Sequence, residues 1–316
     1  SLLMLLGITY IYSVTGSTDY ETLMCFRFSN LEQKTLWIAF FFSFASKIPM
    51  IPFHLWLPEA HVEAPTAGSV ILAGILLKLG VYGFLRFSVP LFPEASNYFT
   101  PDILTLSVMG IIYASFTAIR QSDIKRIIEY TSIAHMNLVV MGIFSFNMVA
   151  IEGVIIQSVS HGFVSSALFL VIGVVYERYH TRMVKYYGGL AQTMPLLIIF
   201  FLIFSMANIA LPGTSSFVGE FLILCGVFKN TSICGFFSAT SIILGGAYSL
   251  RLYNRISYGG IKRPYLEKFL DLNKREFFML LPLLVGTLLL GLVPQIFLST
   301  LHMGVTNLLE AVQLIT

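Results

Sequence analysis

The sequence predicts an all-α polytopic membrane protein, and three observations carry that reading. Charged residues make up only 11% of the 316, while 56% are hydrophobic and the mean hydropathy is +0.82. Soluble domains carry about 25% charged residues, so this chain has too little polar surface to cover a soluble globule. Apolar runs of spanning length follow one another with gaps of no more than about 30 residues, and at ~20 residues per crossing the chain divides into about nine spans. The alternating ~10-residue segments of a membrane β-barrel do not occur. No stretch is left over for a globular domain outside the lipid.

Taken in order, the spans fall near 1–15, 35–57, 67–89, 102–119, 128–145, 151–176, 194–228, 233–256 and 277–298. The chain begins at Ser1 inside an apolar run, with no charged leader and no cleavage site. This start reads as a truncation or split point, and the first run as the stub of a longer helix. Thr100-Pro101-Asp102 places a hydroxyl and a proline where a helix begins, and Asn273 with Glu276 is a variant capping box. Run 194–228 is much too long for one crossing and contains Pro212 and Gly213, which predicts a helix with a non-helical insert. Pro49 and Pro52 break run 35–57 in the same way, by removing backbone donors. Segment 257–276, with Pro264, Tyr265, Leu266, Phe269 and Leu270 among charges, is open to two readings: a short interfacial helix or a polar connector. Gly74 and the pair Gly245-Gly246 suit close helix packing.

With this number of spans, alternate loops share a side, and the basic residues sort accordingly. Twelve collect on one side, in stretches 120–126, 178–185 and 255–275, while Arg27, Lys34, Arg86 and Lys229 lie on the other. The positive-inside rule puts the twelve in the cytoplasm or matrix and the C-terminus opposite. The net charge of +3 is small and scattered, which argues against nucleic-acid binding. Cys25, Cys225 and Cys234 form no metal or cluster motif and no disulfide framework.

Lys47, Lys78 and Arg251 are the basic residues left inside spans. An ionisable group at mid-bilayer costs roughly 2.5–3.5 kcal/mol on insertion scales, so each is a functional candidate. Counting ~1.5 Å per residue places Lys47, Lys78 and His161 about 15–18 Å into a ~30 Å core, close to the midplane. Arg251 is about a turn from the basic end and is expected to snorkel or pair. Glu129 reads as a helix-terminal charge, and Asp102 and Glu152 as interfacial ones. Glu220 follows the break at Pro212 and Gly213. Broken helices at matching positions of two halves point to a transporter's ion path. A lysine among glutamate and histidine partners can exchange its proton near neutral pH, as a proton relay requires. His54, Glu59, His61 and Glu63 follow the first break between Pro52 and Pro65. Without HExxH or a closed ligand set they read as a polar access loop at the basic face rather than a metal site.

These residues also carry a resemblance. The run from Lys47-Ile-Pro-Met-Ile-Pro52 through His54-Leu-Trp-Leu-Pro-Glu-Ala-His61 to Val62-Glu-Ala-Pro65 resembles the antiporter-like subunits of respiratory complex I, NADH:ubiquinone oxidoreductase, and its Val-Glu-Ala-Pro form resembles the subunit 4 branch. Leu76-Leu-Lys78-Leu-Gly80, the run from Gln121 to Met136, Ser160-His161-Gly162 and the run from Ala210 to Glu220 are similar to the same family, and the resemblance covers essentially the whole chain. Tyr248 to Arg255 and Asp271 to Glu276 are similar to mitochondrial members of plant and protist type.

The resemblance implies a 14-helix antiporter-like fold with two inverted five-helix repeats, here retained from the sixth helix to the C-terminus. Residues 1–89 would end the first repeat, 102–256 would form the second, and 257–316 would hold a connector and the last transmembrane helix. It implies that Lys47 and Lys78 are the central proton-carrying lysines, His135 and His161 the linking histidines, and Glu220 the terminal carboxylate. The family's glutamate on the fifth helix has no counterpart here, so a second polypeptide supplying helices one to five is expected. Other membrane-arm subunits and lipids are the remaining expected partners. The implied location is the mitochondrial inner membrane, with the basic loops in the matrix and the C-terminus toward the intermembrane space. The chain itself has no nucleotide motif and is expected to bind no cofactor, while the complex would use NADH, FMN, iron–sulfur clusters and ubiquinone. A cation/proton antiporter subunit of the homologous multisubunit family and a non-pumping structural subunit are the competing readings.

Overall fold

The structure, a computed structural model, describes residues 1–260 and 270–313, the last three by backbone only. Among the described residues it is an all-helical bundle whose one β feature is an isolated bridge between Asp123 and Met183. The principal helices are α1 (Leu2–Thr15), α2 (Asn30–Lys47), α3 (Trp56–Glu63), α4 (Thr66–Leu91), α5 (Pro93–Arg120), α6 (Ile124–Ile143), α7 (Met148–Tyr179), α8 (Pro195–Asn208), α9 (Ser215–Asn230), α10 (Ser232–Ser257), α11 (Lys274–Leu292) and α12 (Gln295–Gln313). Five of them, α4, α5, α7, α10 and α11, are long and apolar enough to cross a membrane.

Both expected breaks are present. The first separates α2 from α3 over residues 48–55 and holds Pro49 and Pro52; the second separates α8 from α9 over 209–214, where Gly213 adopts φ +95°. A positive φ suits glycine, which has no Cβ to clash. α4 is continuous but contains π-helical turns at Leu72–Leu76 and Phe84–Ser88, the first ending two residues before Lys78. A π turn admits an extra residue and re-aims the side chains beyond it.

Several expected boundaries are corrected. α2 starts at Asn30 rather than 35, because Ser29 and Glu32 form a reciprocal capping box. α5 starts at Pro93 and runs through Pro101, so Thr100-Pro101-Asp102 is helix interior rather than a start. Pro101 lacks the amide that would bond the Asn97 carbonyl four residues back, a loss that membrane helices tolerate. The segment expected to be a polar access loop is the helix α3: Pro58 sits in its first turn, where no amide donor is needed, and Pro65 comes only after its end. The last expected span, 277–298, is two helices divided at Val293-Pro294, and α12 packs on α7 with His302 Nδ1 2.8 Å from Glu152. The expected capping box at Asn273 is present, its amide donating to Glu276 at 2.8 Å. Residues 261–269 of segment 257–276, among them Pro264, Tyr265, Leu266 and Phe269, lie outside the described residues.

The basic loops gather at one end of the bundle. Ile124 N–H donates to the Arg182 carbonyl and Gly189 N–H to the Tyr258 carbonyl, while Asp271 accepts from the amides of Leu196 and Leu197. At the opposite end Asn230 donates to the Ser145 carbonyl. α6 is enclosed on nearly every face, and α7 is buried over most of its length; these two helices form the axis around which the rest pack.

Candidate functional site

Four helices deliver ionisable side chains to the middle of the bundle. Lys78 on α4 extends toward α7, where its Nζ lies 2.9 Å from His161 Nδ1 and donates to the Ala73 carbonyl at 2.5 Å. The first π turn ends just before Lys78, and Gly162 lets α7 approach α4 closely: an added Cβ there would stand 3.2 Å from the Gly74 carbonyl oxygen. The His161 and His135 rings have centroids 5.8 Å apart. His135 Nδ1 lies 2.8 Å from Glu220 Oε1, which also accepts from Gln157 Nε2 at 3.2 Å. His161, His135 and Glu220 are all buried, and both histidine Nε2 atoms lack a hydrogen-bond partner among the described residues. Hydroxyls reinforce the joint between α7 and the second break, with Ser160 Oγ 2.6 Å from Ser215 Oγ and 3.0 Å from Ser216 Oγ.

The chemistry open to such a row is proton exchange. A lysine and an imidazole in hydrogen-bond contact can carry the shared proton on either nitrogen, and an imidazole beside a carboxylate can do the same. Two such pairs meet where His161 faces His135.

The other sequence-selected residues are placed differently. Lys47, at the C-terminal end of α2, makes no ion pair among the described residues; it lines an apolar groove with Met4, Ile8, Phe40, Leu79 and Tyr82 instead of joining Lys78. His54 is buried with its ring edge-on to Tyr113, centroids 5.4 Å apart. Glu59 is exposed and pairs with Arg126 at 3.0 Å, and Glu63 is exposed. His61 points inward and stacks on Phe169 at 4.9 Å. Arg251 donates to the Ile119 carbonyl at 3.2 Å, in keeping with the expected pairing near the basic end.

Sequence reasoning missed four residues. Glu129 is not a helix-terminal charge: α6 begins five residues before it, and α3 closes over it, burying it fully 3.7 Å from His61. Lys125, assigned to a basic loop, is buried and donates to the carbonyls of His61 and Ala64. Gln157, one turn before His161 on α7, was findable from the four-residue spacing that puts both on one face. Tyr248 is buried beside Glu220 and also borders a cleft of about 300 Å³ at the basic end, where Arg120 and Arg255 stand. Among the described residues no group of three or more His, Cys, Asp or Glu stands close enough to hold a metal ion.

Broken helices around a buried row of titratable groups define the class: an antiporter-like membrane protein. The chain belongs to the NADH:quinone oxidoreductase/Mrp antiporter family, whose pattern it matches over residues 1–245. It is 58% identical over 310 residues to the NADH-ubiquinone oxidoreductase chain 4 of Marchantia polymorpha, covering 98% of this chain and 63% of that one. A chain of respiratory complex I from Thermus thermophilus superposes with a TM-score of 0.91 at 29% identity, covering 98% of this chain and 66% of the other. A chain of the Mrp complex from Dietzia sp. DQ12-45-1b shares the fold, with a TM-score of 0.83 at 21% identity over 98% and 67%. The chain therefore spans a little under two thirds of the length of the Marchantia relative.

Proposed function

We propose that this chain conducts protons within a membrane-arm subunit of respiratory complex I, as part of NADH:ubiquinone oxidoreductase. The observation that carries the reading is the row Lys78–His161–His135–Glu220, two hydrogen-bonded pairs drawn from four helices into the buried centre of the bundle. An internal water joining the unpaired Nε2 atoms of His161 and His135 would complete it, since buried polar atoms without protein partners are commonly satisfied that way. A charge change in a neighbouring subunit would shift the proton on Lys78, and that shift would bias each following pair, an electrostatic coupling between successive sites. Lys47 would take part where the remainder of the family fold places a carboxylate in its groove.

In this reading residues 1–89 close one repeat and 102–256 form the next, and neighbouring antiporter-like subunits and lipid surround them. No redox centre is assigned to this chain in this reading; NADH, FMN, iron–sulfur clusters and ubiquinone would serve elsewhere in the complex. Its place is the mitochondrial inner membrane, with the basic loops in the matrix. Replacing Lys78 by Met removes the titratable group and keeps most of the stem. The assembled complex with Lys78→Met is expected to lose most proton transfer per NADH oxidised, measured in sealed vesicles; full pumping overturns the proposal.

The family's Mrp branch supports a second reading, a subunit of a cation/proton antiporter. Sodium-driven proton exchange by the purified assembly, without NADH-dependent turnover or copurifying flavin and iron–sulfur subunits, would select it. A purely structural subunit would tolerate loss of Lys47, Lys78 and Glu220 together.

A further inference from the structure

Resting on that reading, we infer that Glu129 and His61 form a one-proton site between the basic end of the bundle and the Lys78–His161 pair, through which protons reach the relay. Their side chains are 0% and 1% exposed, 3.7 Å apart, and both Glu129 oxygens and His61 Nδ1 lack hydrogen-bond partners among the described residues. A fully buried carboxylate costs several kcal/mol unless its charge is balanced or removed. With one proton the pair is neutral or a balanced ion pair; with none it is a buried anion, and with two a buried cation. Burial therefore favours a single proton on the pair, and Lys125, whose Nζ donates to the His61 carbonyl, adds a nearby positive charge that favours releasing that proton inward.

The position fits transfer. Glu129 lies ~7 Å along α6 from its basic end, and His135 ~9 Å further along the same helix. At the outer side, Arg126 and Glu59 pair at the surface. At the inner side, α4 and α7 run together from this site to the relay and line the interval with hydroxyls. Ser69 Oγ donates to the His61 carbonyl at 3.3 Å, and Ser165 Oγ to the His161 carbonyl at 2.5 Å. Ser166 Oγ fills the space beside Gly74, 2.6 Å from where a Cβ would stand. All three serines are buried, and hydroxyls both donate and accept, as a hydrogen-bonded proton path requires.

The test uses the assembled complex carrying Glu129→Gln, which keeps the shape and loses the titratable group, with His61→Gln as a second variant, Glu129→Asp as rescue and Lys78→Met as control. Expected are about tenfold slower proton transfer for Glu129→Gln and His61→Gln at normal assembly, restoration of at least about half by Glu129→Asp, and a non-pumping control. A protonated-carboxyl infrared band that shifts on turnover is expected in the parent and absent in Glu129→Gln; a structural role would not produce it. Full pumping by Glu129→Gln or His61→Gln, with a non-pumping Lys78→Met, overturns this inference alone. Full pumping by Lys78→Met overturns the underlying function. Failure of both glutamine variants to assemble assigns the pair a structural role and also overturns the inference.

Discussion

Arg178 and Glu276 show what a buried charge looks like when its role is structural. Arg178 donates to Glu276 at 2.8 Å and also to the carbonyls of Val174, Leu270 and Asp271, so the guanidinium is held from several directions. Glu276 in turn accepts from the Asn273 amide. Removing one partner strands the other, which costs about 3–5 kcal/mol in buried pairs. Arg178→Ala is therefore expected to lower the thermal midpoint of the detergent-solubilised protein markedly, and Arg178→Lys by less; an unchanged midpoint for Arg178→Ala would refute this assignment. Glu129 and the histidines differ in having nitrogens or oxygens left over. At this scale the sequence is legible where a charge interrupts an apolar run far from its ends, as Lys78 and Glu220 do. It misleads at Glu129, because burial there comes from α3, a neighbour remote in sequence that folds over the start of α6.

Between elements, small residues set the distances that the site needs. α7 and α9 meet where an added Cβ on Gly219 would stand 2.6 Å from Gln157 Oε1, and one on Gly226 2.5 Å from Ala150 Cβ and 2.7 Å from its amide nitrogen. That approach brings Gln157 within reach of Glu220. Gly226→Ala must push helices apart, because its obstacle includes backbone, and overpacking of this kind costs about 1–3 kcal/mol. A lower thermal midpoint is expected for Gly226→Ala, while Gly304→Ala in α12, with nothing within 4 Å, should leave it unchanged or raise it slightly. Equal behaviour of the two variants would refute the close-packing argument. The two breaks are legible as prolines and glycines inside apolar runs. The α3 helix is not, because Pro58 ends a helix in mid-run yet suits its first turn, and only the neighbouring backbone shows which applies. Pro101 misleads in the converse way.

The whole molecule has two chemically distinct ends. Loops at 121–123, 180–189 and 258–260 are joined at one of them, and Lys229 lies at the other, after α9 has crossed back. In a variant lacking Cys25, Cys225 and Cys234, a cysteine replacing Lys185 is expected to react with an impermeant maleimide from the matrix side only. A cysteine replacing Lys229 should react from the opposite side only. Labelling of both from one side would refute the orientation. This polarity is legible without a structure, because charge asymmetry between loops is a property of composition and order.

By itself, the sequence determined the membrane class, the broken helices, the division of charge between two ends and the unusual position of Lys78, His161 and Glu220. Each follows from composition, apolar run length or a local breaker, and lipid demands these whatever the packing. Only the tertiary structure decided which ionisable groups meet. It set Lys78 on His161 and His135 on Glu220, left Lys47 facing a groove, and buried Glu129 beside His61. Those outcomes depend on a π turn, on glycine contacts between helices and on a short helix folding over another. Hydrogen bonds form or fail over less than an ångström, a distance that the order of residues along one helix does not specify.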